Sequence, residues 1–404
     1  LYFNLLGTSS SAITIASSGV TRVSHIFDAS STTNTSARVL RGSADTGTLF
    51  IDNVSVVEIT DDTDLPRIDF TDGTGSLLLE PQRTNLVTYS EDFSQWASSG
   101  VTITSNSAIS PDGTQNASLF SHSGGSFPQI ALSGITFVSS ANYFPSLYVK
   151  SDGTTQVQHS LIVNGQVVNF TPTNEWVRVS DLIVSPDTSG SFVIAQNSGS
   201  AVAASFYIWG GQLEQGDYAT SYIPTNGSTV TRSADVANNS GNADLFNDSE
   251  GVLYAEIEAL ADDSNYKEIS ISDGTSSNRI EVRFILDKIS FTRRINGVVD
   301  TSGQFAPSSI FEFNKVALRY NSNEYSLFVG GVLVDSDTVS SAYSPNTFTS
   351  LQFDSGAGAS NFYGKTKALA VFKEALSNDL LERLTGEGYE SFRLLAEANN
   401  YTII

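Results

Sequence analysis

Short alternating runs of apolar and polar residues, each folded about a two-residue turn, constrain this chain more than any other feature. Ser160–Phe170 (SLIVNGQVVNF), Lys288–Val299 (KISFTRRINGVV) and Tyr325–Asp335 (YSLFVGGVLVD) are the clearest. They carry Asn164-Gly165, Asn296-Gly297 and Gly330-Gly331 at their centres, pairs that accept the positive φ angles of tight hairpins. Similar runs recur along the chain between clusters of Ser, Thr, Asn and Gly, and helix-period patterns are scarce until the end. The pattern predicts an all-β protein of tandem antiparallel β-sandwiches. A parallel α/β sheet is excluded because crossover helices are missing.

An internal repeat suggests the domain plan. Gly19–Phe27 (GVTRVSHIF) resembles Glu175–Ile183 (EWVRVSDLI), and Leu49–Val57 (LFIDNVSVV) resembles Phe206–Glu214 (FYIWGGQLE) at nearly the same separation. Residues 1–59 are therefore expected to be the C-terminal half of one sandwich, whose Ile13, Val23, Ile26, Phe50, Ile51 and Val54 need a partner sheet. Residues 84–226 are expected to be a complete second copy. Residues 60–83 and 227–250 are acidic or polar and read as solvated linkers. A third sandwich is expected over 251–386. It ends in a short helix capped by Ser377-Asn378-Asp379, with Leu380, Leu381 and Leu384 on one face and Gly386 as its stop. Residues 387–404 are expected to hold a second helix, about Tyr389–Ala398, and an apolar tail.

Composition removes several classes of function. With 21 Lys+Arg against 43 Asp+Glu, the net charge is −22. That opposes nucleic acid, which needs a basic patch, and docking on an anionic membrane. No run approaches a membrane span. Cysteine is absent, so disulfides, a thiol nucleophile and thiolate metal sites are excluded, as suits assembly in a reducing cytosol. The three histidines, His25, His122 and His159, are not at metal-ligand spacing. Residue 1 is Leu and Met is absent, so the numbering is expected to begin inside a longer gene product.

Several stretches resemble the carbohydrate-binding modules and concanavalin-like (laminin-G-like) sandwiches of bacteriophage tail fibres and other virion surface proteins. They are Leu78–Leu86 (LLEPQRTNL), Tyr89–Trp96 (YSEDFSQW), Ser110–Thr114 (SPDGT) and, most specific, Tyr207–Thr225 (YIWGGQLEQGDYATSYIPT). Phe313–Tyr320 (FNKVALRY) and Asn361–Leu376 (NFYGKTKALAVFKEAL) carry it in the third unit. The resemblance implies jelly-roll or concanavalin-like sandwiches. It also implies an appendage protein, assembled in the host cytoplasm and displayed on the virion. Host-surface polysaccharide, other virion proteins and further copies of the chain are the implied partners. It identifies architecture better than ligand.

Candidate binding residues follow from sugar chemistry. Trp176 and Trp209 offer rings on which sugar C–H faces stack, and the aligned positions of the first copy hold Val20 and Asp52. In the third unit the loops Ser272–Asn278 (SDGTSSN) and Asp354–Asn361 (DSGAGASN) place Asp354, Asn361 and Tyr363 where they could hydrogen-bond or stack a sugar. No cofactor is implied. Asp52 matches a position that supplies a structural calcium ligand in some related modules, whereas Trp209 replaces it in the complete copy. No catalytic residues are assigned. The Glu-x-Asp-x-x-Glu pattern of concanavalin-like hydrolases is missing, and Glu256 and Glu258 read as a solvent face. A non-catalytic glycan-binding fibre subunit is the leading reading. A purely structural spacer comes second and a polysaccharide depolymerase third.

Overall fold

The computed structural model describes residues 2–5, 8–9, 37–40, 67–154, 157–339 and 341–386. The chain divides into two units, Leu1–Ile59 and Thr60–Ile404. In the first, Tyr2–Leu5 pairs antiparallel with both Thr8–Ser9 and Ala37–Leu40. The expected half-sandwich core from Ile13 to Val54, the first members of the repeat, Asp52 and the second C-terminal helix lie outside the described residues.

The second unit holds two β-sandwiches, and antiparallel sheets account for the architecture as expected. In the sandwich over residues 84–226 one layer has five strands, ordered Gln166–Phe170, His159–Val163, Ser189–Ala195, Gln129–Thr136 and Ala97–Ser99. The facing layer is ordered Val177–Ser180, Asn142–Ser151, Ala201–Gln215, Ala117–Gly125 and Thr102–Ala108, with Ile183–Val184 beside Asn142–Ser151. Period-2 alternation turns Leu147, Val149, Phe206, Ile208, Leu161 and Ile194 into one core between the layers.

The second sandwich is assembled from distant parts of the chain. Its seven-stranded sheet runs Val332–Thr338, Glu324–Val329, Asn314–Tyr320, Gly251–Ala259, Gly364–Phe372, Ser76–Leu79 and Arg67–Asp69. The opposing five strands are Val298–Phe305, Lys288–Ile295, Arg279–Ile285, Lys267–Ser272 and Ser350–Gln352. The three turn pairs occur where the sequence puts them. Asn164, Asn296 and Gly330 have φ of 49°, 50° and 59°, and Gly165, Gly297 and Gly331 follow at 82°, 81° and 84°. Mirror-type turns of this kind match the twist of the strands they join.

The two expected linkers need correction. Residues 67–79 are not a solvated connector but the last two strands of the seven-stranded sheet, with Gly364–Thr366 paired to Leu79–Leu77 and Arg67–Asp69 at the edge. Leu79 is 6% exposed and belongs to the core. The acidic residues that suggested solvation organise the turn and the edge. Asp69 and Asp72 accept the backbone N–H of Thr71 and Thr74, both at 3.0 Å, and pair with Lys365 and Lys367. Residues 227–250 are likewise engaged. Val230–Arg232 pairs with Arg83–Asn85 as a two-stranded ribbon. Beyond it Phe353 N donates to Ala237 O (3.0 Å), Leu351 N to Ser240 O (2.8 Å), and Phe246 enters the core. The first sandwich is thus an insertion within the second. At the junction Glu80 sits between Arg67 (3.3 Å) and Arg232 (3.1 Å) and accepts Ser221 N at 2.9 Å, while Asp235 also pairs with Arg67.

The short helix forms at Asn378–Thr385. Ser377 accepts Leu380 N, Gly386 closes the helix, and Leu381 and Leu384 are buried against Val252, Tyr254 and Phe328. Among the described residues no helix is long and apolar enough to cross a membrane.

Candidate glycan-binding cleft

A cleft of about 740 Å³ opens at one end of the inserted sandwich. Three segments wall it: Gln82–Thr84 with Leu86, the turn 136–143, and Gln215–Asp217. Asn85 fixes the first wall. Fully buried, it donates to Gly211 O (3.2 Å) and Ile223 O (2.9 Å) and accepts from Val87 N (3.0 Å) and Leu213 N (3.1 Å). All four hydrogen-bonding sites of its amide are satisfied, which locks its position. The third wall leaves the strand Ala201–Gln215 through a turn held by Glu214, which accepts both Thr220 N (2.9 Å) and the Thr220 hydroxyl. Asn142 ties the second wall to the third. Its carbonyl accepts Gly216 N (3.0 Å), and its Nδ2 donates to Asp217 Oδ1 (2.6 Å). The Tyr143 hydroxyl accepts Val138 N (2.7 Å), holding the exposed Val138 at the rim.

Arg83 is the cation of this cleft, whose lining also includes the Asp217 carboxylate. Its guanidinium carbon lies 5.5 Å from the Tyr218 ring centroid, and Nη1 donates to Gln82 O at 3.1 Å. Burial pushes the Tyr218 phenol well above its ordinary pKa, so it stays neutral and its ring is a face for the cation. Arg83 packs directly over Gly216. A Cβ at that position would stand 2.7 Å from Nη2 and 2.9 Å from Nε, so any larger residue would push the guanidinium aside.

The residues singled out from sequence sit elsewhere. Trp209 is on the outer face of its sheet but covered, 3% exposed, with ring centroids 5.4 Å from Tyr148 and 4.4 Å from Tyr222. It packs beneath Tyr222, which rules out the expected open platform. Trp176 is half-buried, and its indole N–H donates to Ile109 O at 3.0 Å. Asp354 is 0% exposed and also corrects the expectation. Its carboxylate accepts Asn238 Nδ2 (2.7 Å) and Gly356 N (2.6 Å), so it organises its own loop. Asn361 and Tyr363 are half-buried and bonded to each other at 3.1 Å. Arg83, Asn142 and Asp217 were not selected from sequence. Yet Arg83 lies in Leu78–Leu86 and Asp217 in Tyr207–Thr225, two of the stretches that carry the resemblance.

One carboxylate pair occurs in the second sandwich. Glu268 and Glu281 are on adjacent strands, on the face opposite the core residues Ile269, Ile280 and Val282. Burial and the neighbouring Glu281 raise the pKa of Glu268, and Arg279 and Arg283 pair with both carboxylates. Their exposures are 2% and 0%. Among the described residues no cluster of three or more His, Asp or Glu is placed to hold a metal ion.

No protein-family model matches the chain, and no curated protein does. Solved structures give weak likenesses. The carbohydrate-binding module CBM40 of the Ruminococcus gnavus IT-sialidase is 16% identical with a TM-score of 0.32, over 38% of this chain and 96% of that one. Mouse laminin α1 domains LG4-5 are 10% identical with a TM-score of 0.23, over 60% and 85%. The tandem CBM22-1–CBM22-2 of Paenibacillus barcinonensis Xyn10C is 11% identical with a TM-score of 0.26, over 71% and 97%.

Proposed function

We propose that this chain is a non-catalytic glycan-binding protein of a bacteriophage virion surface, a fibre or appendage subunit that holds host polysaccharide in the cleft of its inserted sandwich. The observation that carries the reading is the cleft itself. Backbone-anchored walls converge the Arg83 guanidinium, the Asn142 amide and the Asp217 carboxylate beside the apolar Leu86 and Val138. Fixed polar groups next to apolar surface are what a sugar, polar at its hydroxyls and apolar at its C–H faces, requires. The virion setting rests on the resemblance carried by Leu78–Leu86 and Tyr207–Thr225 and on an acidic, cysteine-free composition. Virion neighbours and further copies of the chain belong to the same reading.

A glycan array probed with the full chain tests it. Binding to host-type polysaccharide that Asn142→Ala reduces supports the cleft. Binding to no polysaccharide favours the spacer reading.

A further inference from the structure

We infer that the cleft selects anionic glycans, with Arg83 as the subsite for a carboxylate or phosphate group on a sugar; this rests on the glycan-binding reading above. Most arginines elsewhere in the chain are held by carboxylates. Arg67 and Arg232 pair with Glu80, Arg279 and Arg283 with Glu268 and Glu281, Arg293 with Asp300 and Arg319 with Glu324. In a chain with 43 acidic residues a guanidinium readily finds a carboxylate. Three described arginines have no carboxylate within ion-pair distance: Arg178, which donates to Thr220 O and the Ser146 hydroxyl, Arg294, which donates to Gly297 O, and Arg83, the one of the three that lines the cleft. Asp217, the carboxylate lining the same cleft, is instead turned to Asn142.

The orientation of the side chain sharpens the point. Nε is buried without a partner, Nη1 is engaged by the Gln82 carbonyl, and no acceptor meets Nη2 among the described residues. The Tyr218 ring holds one side of the guanidinium and Gly216 lies beneath it. A planar guanidinium beside an aromatic ring, with Nη2 free of acceptors among the described residues, is suited to an oxyanion, which it binds with charge-assisted hydrogen bonds. Asn142 and Asp217 line the same cleft and supply further polar groups for the hydroxyls of the same sugar.

The test uses the full chain on an array of matched glycans: neutral, uronate- or nonulosonate-containing, and phosphate-substituted. Each anionic binder is then repeated after carboxyl reduction or dephosphorylation, which distinguishes the two sources of charge. We expect the binders to be anionic. Affinity should fall about 10- to 100-fold on removal of the charge and by a similar factor in Arg83→Gln, with Arg83→Lys intermediate. Gly216→Ala, which displaces the guanidinium but keeps its charge, should also weaken binding, and it serves if Arg83→Gln does not fold. Equal binding of neutral and anionic partners, or anionic binding indifferent to both substitutions, overturns the inference and leaves glycan binding standing. Binding to no glycan overturns both.

Discussion

Acid should unfold the inserted sandwich through a single pair of side chains. His122 and His159 meet inside its core with their Nε2 atoms 3.2 Å apart, among the rings of Phe120, Phe170 and Phe206. The surrounding hydrogen bonds settle the tautomers. His159 Nδ1 faces Val157 O at 2.9 Å and must carry a proton, so its Nε2 is an acceptor. His122 Nδ1 accepts Gly124 N at 3.2 Å, so its Nε2 carries the proton that His159 receives. The pair is therefore satisfied only when both rings are neutral. Burial lowers the pKa of both, that of His159 to about 4 from 6.5. Because the folded value is depressed, the unfolded chain binds the extra proton. Stability is full above the unfolded pKa of 6.5 and falls as pH drops towards about 4. The whole gap is worth about 3 kcal/mol, of which about 2 kcal/mol is lost between roughly pH 7 and pH 5. That corresponds to a fall of about 4–8 °C in the thermal midpoint. The assay is selective, since Trp96, Trp176 and Trp209 all lie in this sandwich and tryptophan fluorescence reports it alone. Replacing both histidines with leucine should lower stability at neutral pH but remove the slope between pH 7 and 5. A wild-type midpoint unchanged over that range, or the same slope in the double variant, would show that the histidine pair does not set the acid sensitivity.

Leu79→Ala should cost the second sandwich about 2–4 kcal/mol, read by far-ultraviolet circular dichroism. A fragment of residues 251–386, without the strands at 67–79, should aggregate, whereas folding of that fragment as a stable monomer would contradict the insertion. Glu80→Ala strands Arg232 at the junction, Arg67 keeping Asp235, and should destabilise it by about 3–5 kcal/mol, with faster proteolysis within residues 227–250. Asp354→Ala should cost about 2–3 kcal/mol by leaving Asn238 and Gly356 N without their acceptor, yet leave glycan affinity unchanged.

The parts of the fold that were legible in the sequence are those written locally. Asn-Gly and Gly-Gly pairs dictate backbone sign within two residues, and Ser377 and Gly386 bracket a helix by capping chemistry alone. The insertion was illegible because it is a pairing between residues almost three hundred positions apart, Leu79 with Gly364, which no local pattern encodes. Asp69 and Asp72 misled for a related reason, since a turn-forming aspartate and a solvating one have the same composition. For the site, aromatic and polar residue types pointed to Trp209 and Asp354, but residue type does not reveal cover. Tyr222 lies over the first, and Asn238 and Gly356 surround the second. Arg83 carried no signal of its own, because an unpaired guanidinium is recognisable only once the positions of the surrounding carboxylates are known.

Hydrogen–deuterium exchange of the full chain, with and without the strongest glycan from the array, locates the surface that the glycan covers. Exchange should slow in the three cleft walls, residues 82–86, 136–143 and 215–217, and stay unchanged at 354–363 in the second sandwich. Protection confined to 354–363, or to any surface that leaves the three walls unchanged, would contradict glycan binding in the cleft.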